Sequence, residues 1–332
     1  MIDLFDADAV VAALPWPTVV EALRDGFAAG SEITTPQRHH HRMTTASGTG
    51  NGNGNGNGNA TPTLLLMPAW NPTYAGVKVV AVFPGNRGTD IPTINGNYLL
   101  VDGATGVPLA LLDGGALTVR RTAGASLLAS SLLARPESSR LAVMGSGRLA
   151  GNLARGYAEM FPIDEIVVWN HRHGGAEQLA DELVSEGFDA RATDDPAEAV
   201  DQADIVTAAT LAEDPIIEGR WLRPGTHVDL VGGFTPAMRE ADDDAVRAAD
   251  VYVDTMSGAL SEAGDIMQPI TSGALRTDAI HGDLFALCSP EVASAPTPRA
   301  DDVITLFKSV GHALEDLVAA AAVFESESGT SN

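Results

Sequence analysis

The residues best suited to chemistry run Leu141-Ala-Val-Met-Gly145-Ser-Gly147-Arg148-Leu149-Ala150, a short apolar stretch entering Gly-x-Gly-x-x-Ala and then a helical pattern. That order suits a pyrophosphate. Gly145 permits a tight bend, Gly147 lets backbone approach the phosphates, and Ala150 lets the helix pack close to the strand while its N-terminal amides face the anion. Arg148 and Leu149, inside the motif, join Gly145 and Gly147 as candidate cofactor-binding residues. Which nicotinamide dinucleotide would bind is written at the tip of the next apolar stretch, where a carboxylate would accept from a ribose 2′-hydroxyl. Here the tip is Trp169-Asn170-His171-Arg172-His173, without a carboxylate. Arg172 can pair with a 2′-phosphate and Asn170 can donate to it, which favours NADPH and leaves NADH open.

Elements must hold that turn in place. Apolar stretches at Glu165–Asn170, Ala203–Thr210, Thr226–Val231 and Asp250–Asp254 alternate with helical patterns, which predicts a parallel, doubly wound sheet of Rossmann type. Because the turn lies near residue 141 of 332, a substantial segment with another task precedes it. That segment reads as helices over Asp8–Leu14 and Pro17–Ala29, then strands at Pro62–Pro68, Ala75–Phe83, Asn95–Val101 and Pro108–Leu112. Ser47 to Asn59, with five consecutive Gly-Asn pairs, reads as a flexible surface loop. Asp302 to Phe324 reads as one long helix carrying Gly311 inside it, where close backbone approach or tight helix packing would justify the glycine. The expected fold is α/β, with residues 119–299 as the dinucleotide-binding domain and residues 1–118 with 300–332 as a β-rich substrate and dimerisation domain completed by the C-terminal helix.

Composition narrows the partners. A net charge of −24 would repel nucleic acid, and no apolar run reaches membrane-spanning length, so neither nucleic acid nor membrane is an expected partner. The acidic start, Met1-Ile-Asp-Leu-Phe-Asp, lacks the cations of a secretion signal. One cysteine, Cys288, allows no internal disulfide and fits a cytoplasmic location; nothing beside it supplies an activating base, so it reads as an apolar filler. No metal is called for. Only two lysines occur, Lys78 and Lys308, and Lys78 sits between valines, which makes it conspicuous.

Pro36-Gln-Arg38, Leu66-Met-Pro68, Gly76-Val-Lys78, Arg121-Thr-Ala, Val143-Met-Gly-Ser-Gly147, Glu262-Ala-Gly-Asp265 and Ile304 to Gly311 stand in an order that resembles the ornithine cyclodeaminase and mu-crystallin family, closest to its bacterial Δ1-pyrroline-2-carboxylate/Δ1-piperideine-2-carboxylate reductases. The resemblance covers nearly the whole chain. It implies a homodimer formed through the N-terminal sheet, a substrate carboxylate held by Arg38, Lys78 and Arg121, a cofactor near Thr93, Thr210 and Ser309, and substrate contact by Val310. Three converging cations suit one small carboxylate.

Departures from the family pattern are informative too. A cyclodeaminase carries a glutamate where this chain has Leu65, and an aspartate after Val-Gly-Gly where it has Phe234. Both changes remove carboxylates that a diamine substrate needs, and leave apolar groups suited to the methylenes of a five- or six-membered ring. The expected activity is NAD(P)H-dependent reduction of cyclic imino acids, to L-proline or L-pipecolate. The alternatives are an ornithine cyclodeaminase, an alanine-dehydrogenase-like enzyme, and a non-catalytic NADPH-binding protein. No catalytic residue is assigned; His227 is a candidate proton donor, against the ordinary structural role of a buried strand histidine.

Overall fold

The computed structural model describes residues 2–43, 61–86, 88–293 and 302–328, so the Gly-Asn tract lies outside the described residues. The chain divides into two compact units, Met1–Pro15 with Ala29–Thr118 and Ala313–Asn332, and Trp16–Ala28 with Val119–His312.

In the first unit, β1 (Asp3–Phe5), β2 (His39–Arg42), β3 (Thr63–Trp70), β4 (Tyr74–Val82), β5 (Ile94–Asp102) and β6 (Pro108–Asp113) form a sheet in the order β1-β6-β5-β4-β3-β2. All pairs are antiparallel except β1 with β6. The apolar helix Ala313–Ser328 packs across β3 to β6 and covers one face. Strand alternation sorts the residues accordingly. Phe5, Leu112, Tyr98, Lys78 and Met67 pair in register as a buried row, and the next row, Leu4, Leu111, Leu99, Val77 and Pro68, is exposed or half-buried. Leu4 is 73% exposed, so apolar side chains line the face away from the helix.

The second unit is built on β7 (Arg140–Met144), β8 (Glu165–Trp169), β9 (Ala190–Thr193), β10 (Ile205–Ala208), β11 (His227–Leu230), β12 (Ala249–Val253), β13 (Ile280–Asp283) and β14 (Ile304–Lys308). These form an eight-stranded sheet ordered β13-β12-β14-β11-β10-β7-β8-β9, parallel throughout. This is the expected Rossmann-type sheet, with β9, β13 and β14 added to the five strands expected from sequence. β14 inserts between β11 and β12, which corrects the reading of Asp302–Phe324 as one helix: Ile304–Lys308 is a central strand, Gly311 lies in the following loop at φ 83°, and the helix begins at Ala313. Residues 302–312 therefore belong with the dinucleotide-binding sheet and not with the first unit, because their backbone is paired on both sides by parallel neighbours. Helix Trp16–Ala28 likewise falls in the second unit.

A buried polar chain braces this unit. Asp229 on β11 accepts from Ser126 Oγ at 2.9 Å, Thr207 Oγ1 at 2.7 Å and Tyr157 OH at 3.0 Å, and burial pushes its carboxyl up to about 6. His227 is fully buried, its Nε2 2.9 Å from Ser130 Oγ and its Nδ1 2.8 Å from Thr305 Oγ1. Both ring nitrogens are thus engaged within the core, which removes His227 as a proton donor. Cys288 is buried, and burial pushes its thiol up to about 11, so it is a poor nucleophile at neutral pH. Among the described residues, no helix is long and apolar enough to cross a membrane.

Candidate active site

The turn after β7 has the geometry its sequence requires. Gly145 adopts φ 121°, and a Cβ there would stand 2.9 Å from the Ala209 carbonyl, so only glycine fits. Gly147 is the N-cap of helix Arg148–Met160, and a Cβ on it would meet nothing within 4 Å. The helix N-terminus therefore opens onto free space, with amides available to an anion. That space is a cavity of about 540 Å³ whose walls include Gly145, Ser146, Gly147, Trp169, Asn170 and Thr210. His171, Leu211, Glu213, Asp214 and Ile216 also line it and were not singled out from sequence.

Other sequence candidates sit around this cavity in different ways. Asn170 lines it, and its amide donates to the Arg172 carbonyl at 3.1 Å, fixing the loop. Arg172 is an exposed N-cap of helix His173–Ser185 without a side-chain capping bond, and it is not among the lining residues. Arg148 is exposed and Leu149 half-buried, both in the first turn of their helix.

Ligands of open parallel sheets bind at the carboxyl ends of the strands, and here those ends are held by buried carboxylates. Glu240 Oε1 accepts from Thr210 N at 2.7 Å and from Thr210 Oγ1 at 2.8 Å; its Oε2 accepts from Gly232 N at 2.7 Å. Asp265 Oδ1 accepts from Glu240 N at 2.7 Å, and Lys308 Nζ stands 3.1 Å from Asp265 Oδ2 with both side chains fully buried. Past β14, Asp254 Oδ2 accepts from Val310 N and Gly311 N at 2.7 Å each, and Ser309 Oγ is 3.3 Å away. Arg121, 5% exposed, lays its guanidinium against Gly311, where a Cβ would overlap it. It projects from helix Gly114–Leu133 and not from a strand. Val310 is half-buried, and Phe234 is 46% exposed beyond Gly232-Gly233.

In the first unit, Lys78 is 2% exposed and its Nζ lies 2.8 Å from each oxygen of fully buried Asp316. Thr118 Oγ1 is 3.4 Å from the same nitrogen. Register puts Leu65 opposite Val80, two residues from the Met67–Lys78 pair and on the same face. Arg38 is half-buried just before β2, and Thr93 is half-buried before β5, its carbonyl accepting from Phe83 N at 2.7 Å.

The model of the ornithine cyclodeaminase/mu-crystallin family matches residues 56–331. The chain belongs to that family. Among its members, the Δ1-pyrroline-2-carboxylate reductase of Paracoccus denitrificans is 37% identical over 310 residues, 93% of this chain and 92% of that protein. The mouse ketimine reductase mu-crystallin is 36% identical over 263 residues, 79% of each. The structure of Thermococcus litoralis Δ1-pyrroline-2-carboxylate reductase in complex with NADH and L-proline superposes with a TM-score of 0.87 at 28% identity, covering 99% of this chain and 98% of that one. Family membership accounts for the shared two-unit plan, with a parallel dinucleotide-type sheet and a mixed sheet completed by the C-terminal helix.

Asp265 was noted only as part of a motif, without a role, and Asp316, Glu240 and Asp254 were missed from sequence. Their only signal is burial against a lone lysine or a strand end, which a chain holding 44 acidic residues hides.

Proposed function

We propose that this protein is an NADPH-dependent reductase of cyclic imino acids, converting Δ1-pyrroline-2-carboxylate to L-proline and Δ1-piperideine-2-carboxylate to L-pipecolate. The observation that carries this reading is the pairing, on one face of the first sheet, of a buried lysine with an apolar wall: Lys78 beside Leu65. A cation suits the substrate carboxylate, and a leucine in the cyclodeaminase glutamate position suits ring methylenes and rejects a terminal ammonium. The names of the Paracoccus, mouse and Thermococcus relatives support the same chemistry.

The residues present fit a nicotinamide dinucleotide. Gly145, Gly147 and the first turn at Arg148 and Leu149 would hold the pyrophosphate, Asn170 and Arg172 the adenosine ribose with its 2′-phosphate, and Thr210 and Ser309 the far half beside the strand ends. Thr93 is assigned to cofactor contact by family position. When bound, the nicotinamide supplies the hydride. This chain's own part is positioning: Lys78, Arg121 and Arg38 each offer a cation to the carboxylate, and Leu65, Phe234 and Val310 offer apolar contact to the ring. The imine proton is assigned to solution, since His227 is committed to the core.

A substrate panel tests the reading. NADPH oxidation with either cyclic imine, none with pyruvate plus ammonia, and no ammonia released from L-ornithine with NAD is the expected pattern. Ammonia release at a rate comparable with imine reduction would restore the cyclodeaminase alternative. For the cofactor, Arg172→Ala should weaken NADPH binding about tenfold or more and leave NADH nearly unchanged, because one charge-assisted contact of roughly 1.5–3 kcal/mol is removed. Equal loss with both cofactors would sink the NADPH assignment. The apolar outer row around Leu4 and Leu111 supports a homodimer through the first sheet, and a monomer-sized mass in solution would exclude it.

A further inference from the structure

The last ladder bond between β10 and β11 is Val231 N to Ala208 O at 2.9 Å, and past it the two chains go separate ways. Glu240 spans the gap. Its two oxygens collect three donors from the two strand ends, Thr210 N, Thr210 Oγ1 and Gly232 N, all at 2.7–2.8 Å, the Gly232 bond fully buried and the two Thr210 bonds partly so. Gly232 permits the approach, because a Cβ there would overlap both the Thr210 carbonyl and Glu240 Oε1. Asp265 holds Glu240 from behind through the Glu240 and Ala241 amides, at 2.7 and 3.2 Å. Lys308 from β14 stands on Asp265, and a Cβ on Gly233 would lie 3.4 Å from its ammonium. Three buried ionisable groups thus sit directly behind the loop that ends in Phe234.

We propose that Glu240 is a positioning residue for the reductase: its ionised carboxylate clamps Thr210 to Gly232 and so sets the cofactor-facing ends of β10 and β11. This rests on the reading that the cavity at Gly145–Thr210 holds a nicotinamide dinucleotide, since Thr210 lines that cavity and Glu240 stands one hydrogen bond behind it. The clamp depends on charge. Two carboxylate oxygens can accept all three donors, whereas a protonated carboxyl turns a hydrogen toward one of them. Burial pushes the Glu240 carboxyl up to about 7, with Asp265 pushing the same way and Lys308 pulling back. The groups facing it are therefore Asp265 on helix Gly264–Ser272, Lys308 on β14 and the Thr210 hydroxyl beyond β10.

The sign follows directly. Above pH 7 the carboxylate is charged and the strand ends are clamped; as pH falls through about 7 the clamp loosens. NADH is the suitable probe, because it lacks the 2′-phosphate that itself titrates near pH 6. Wild-type affinity for NADH should fall about tenfold between pH 8 and pH 6, equivalent to about 1.4 kcal/mol. Glu240→Gln, which cannot offer two acceptors, should bind at the weak level at both pH values, with its melting temperature showing it folded. The cavity is also lined by His171, Glu213 and Asp214, so pH dependence that persists in Glu240→Gln would belong to a group other than Glu240 and would overturn the proposal while leaving the cofactor reading intact. A wild-type protein that binds neither NADH nor NADPH at pH 8 would overturn both. A readout needing no variant is amide exchange in the wild type: after correction for intrinsic rates, Thr210 and Gly232 should be better protected at pH 8 than at pH 6. Equal protection at the two pH values would also overturn the clamp.

Discussion

Lys78→Met should lose both stability and substrate affinity, and adding Asp316→Asn should restore only the stability. Lys78 and Asp316 are 2% and 0% exposed, and the ammonium lies 2.8 Å from both carboxylate oxygens. Removing one member of such a pair leaves a buried charge uncompensated, which costs about 3–5 kcal/mol, whereas neutralising both is often tolerated. Fully buried Tyr98 lies in the same cross-strand row as Lys78, so little water can enter to soften the loss. The single variant should therefore unfold at clearly lower denaturant, and the double variant should recover most of the difference. Affinity follows another rule. If Lys78 also holds the substrate carboxylate, both variants lack that charge, and the Michaelis constant for the imine should stay raised about ten- to a hundredfold with the NADPH constant little changed. Recovery of the imine constant in the double variant would mean that Lys78 serves only Asp316. Wild-type stability in the single variant would mean that the pair carries no energetic weight.

What the sequence disclosed, and what it hid, follows from how each element is buried. The strands of the first unit were legible because one face is covered and the other open, so β3 to β6 alternate. The turn at Gly145 was legible because glycine types at fixed spacing answer a single steric demand. Helix Gly114–Leu133 was not singled out. It is buried nearly all round, and a helix with no exposed stripe shows no period. β14 was absorbed into the helix after it for a related reason: a five-residue, largely buried strand between two parallel neighbours, Ile304-Thr-Leu-Phe-Lys308, lacks a clear alternation of apolar and polar residues, and only Gly311 marked the break. The site followed the same division. Lys78 stood out as one of two lysines, but its partner Asp316 lies 238 residues away on a helix whose register cannot be known beforehand. Glu240, Asp265 and Asp254 act through backbone amides that only the folded chain brings to them.

Gly311 shows how such a mark becomes a testable constraint, since Gly311→Ala should disable the enzyme while leaving it folded. The residue adopts φ 83°, which an L side chain reaches at a cost of about 1–2 kcal/mol. The loop cannot relax easily, because Val310 N and Gly311 N both donate to Asp254 Oδ2 at 2.7 Å and Asp254 is fully buried. The new Cβ would overlap Arg121 Nη1 and lie 2.9 Å from Nη2, so the guanidinium, the far end of a flexible side chain, must give way. At 5% exposure it has little room to do so without changing direction. If Arg121 engages the substrate carboxylate, kcat/KM for the imine should fall on the order of a hundredfold, a size expected for a misplaced positioning group, and NADPH binding should change only a few-fold. Arg121→Ala decides whether the clash is the cause. In that background the added methyl meets no guanidinium, so Gly311→Ala should lower kcat/KM little further and leave only its backbone cost in stability. Two full, additive losses in the double variant would show that Gly311 acts on the site by a route other than Arg121.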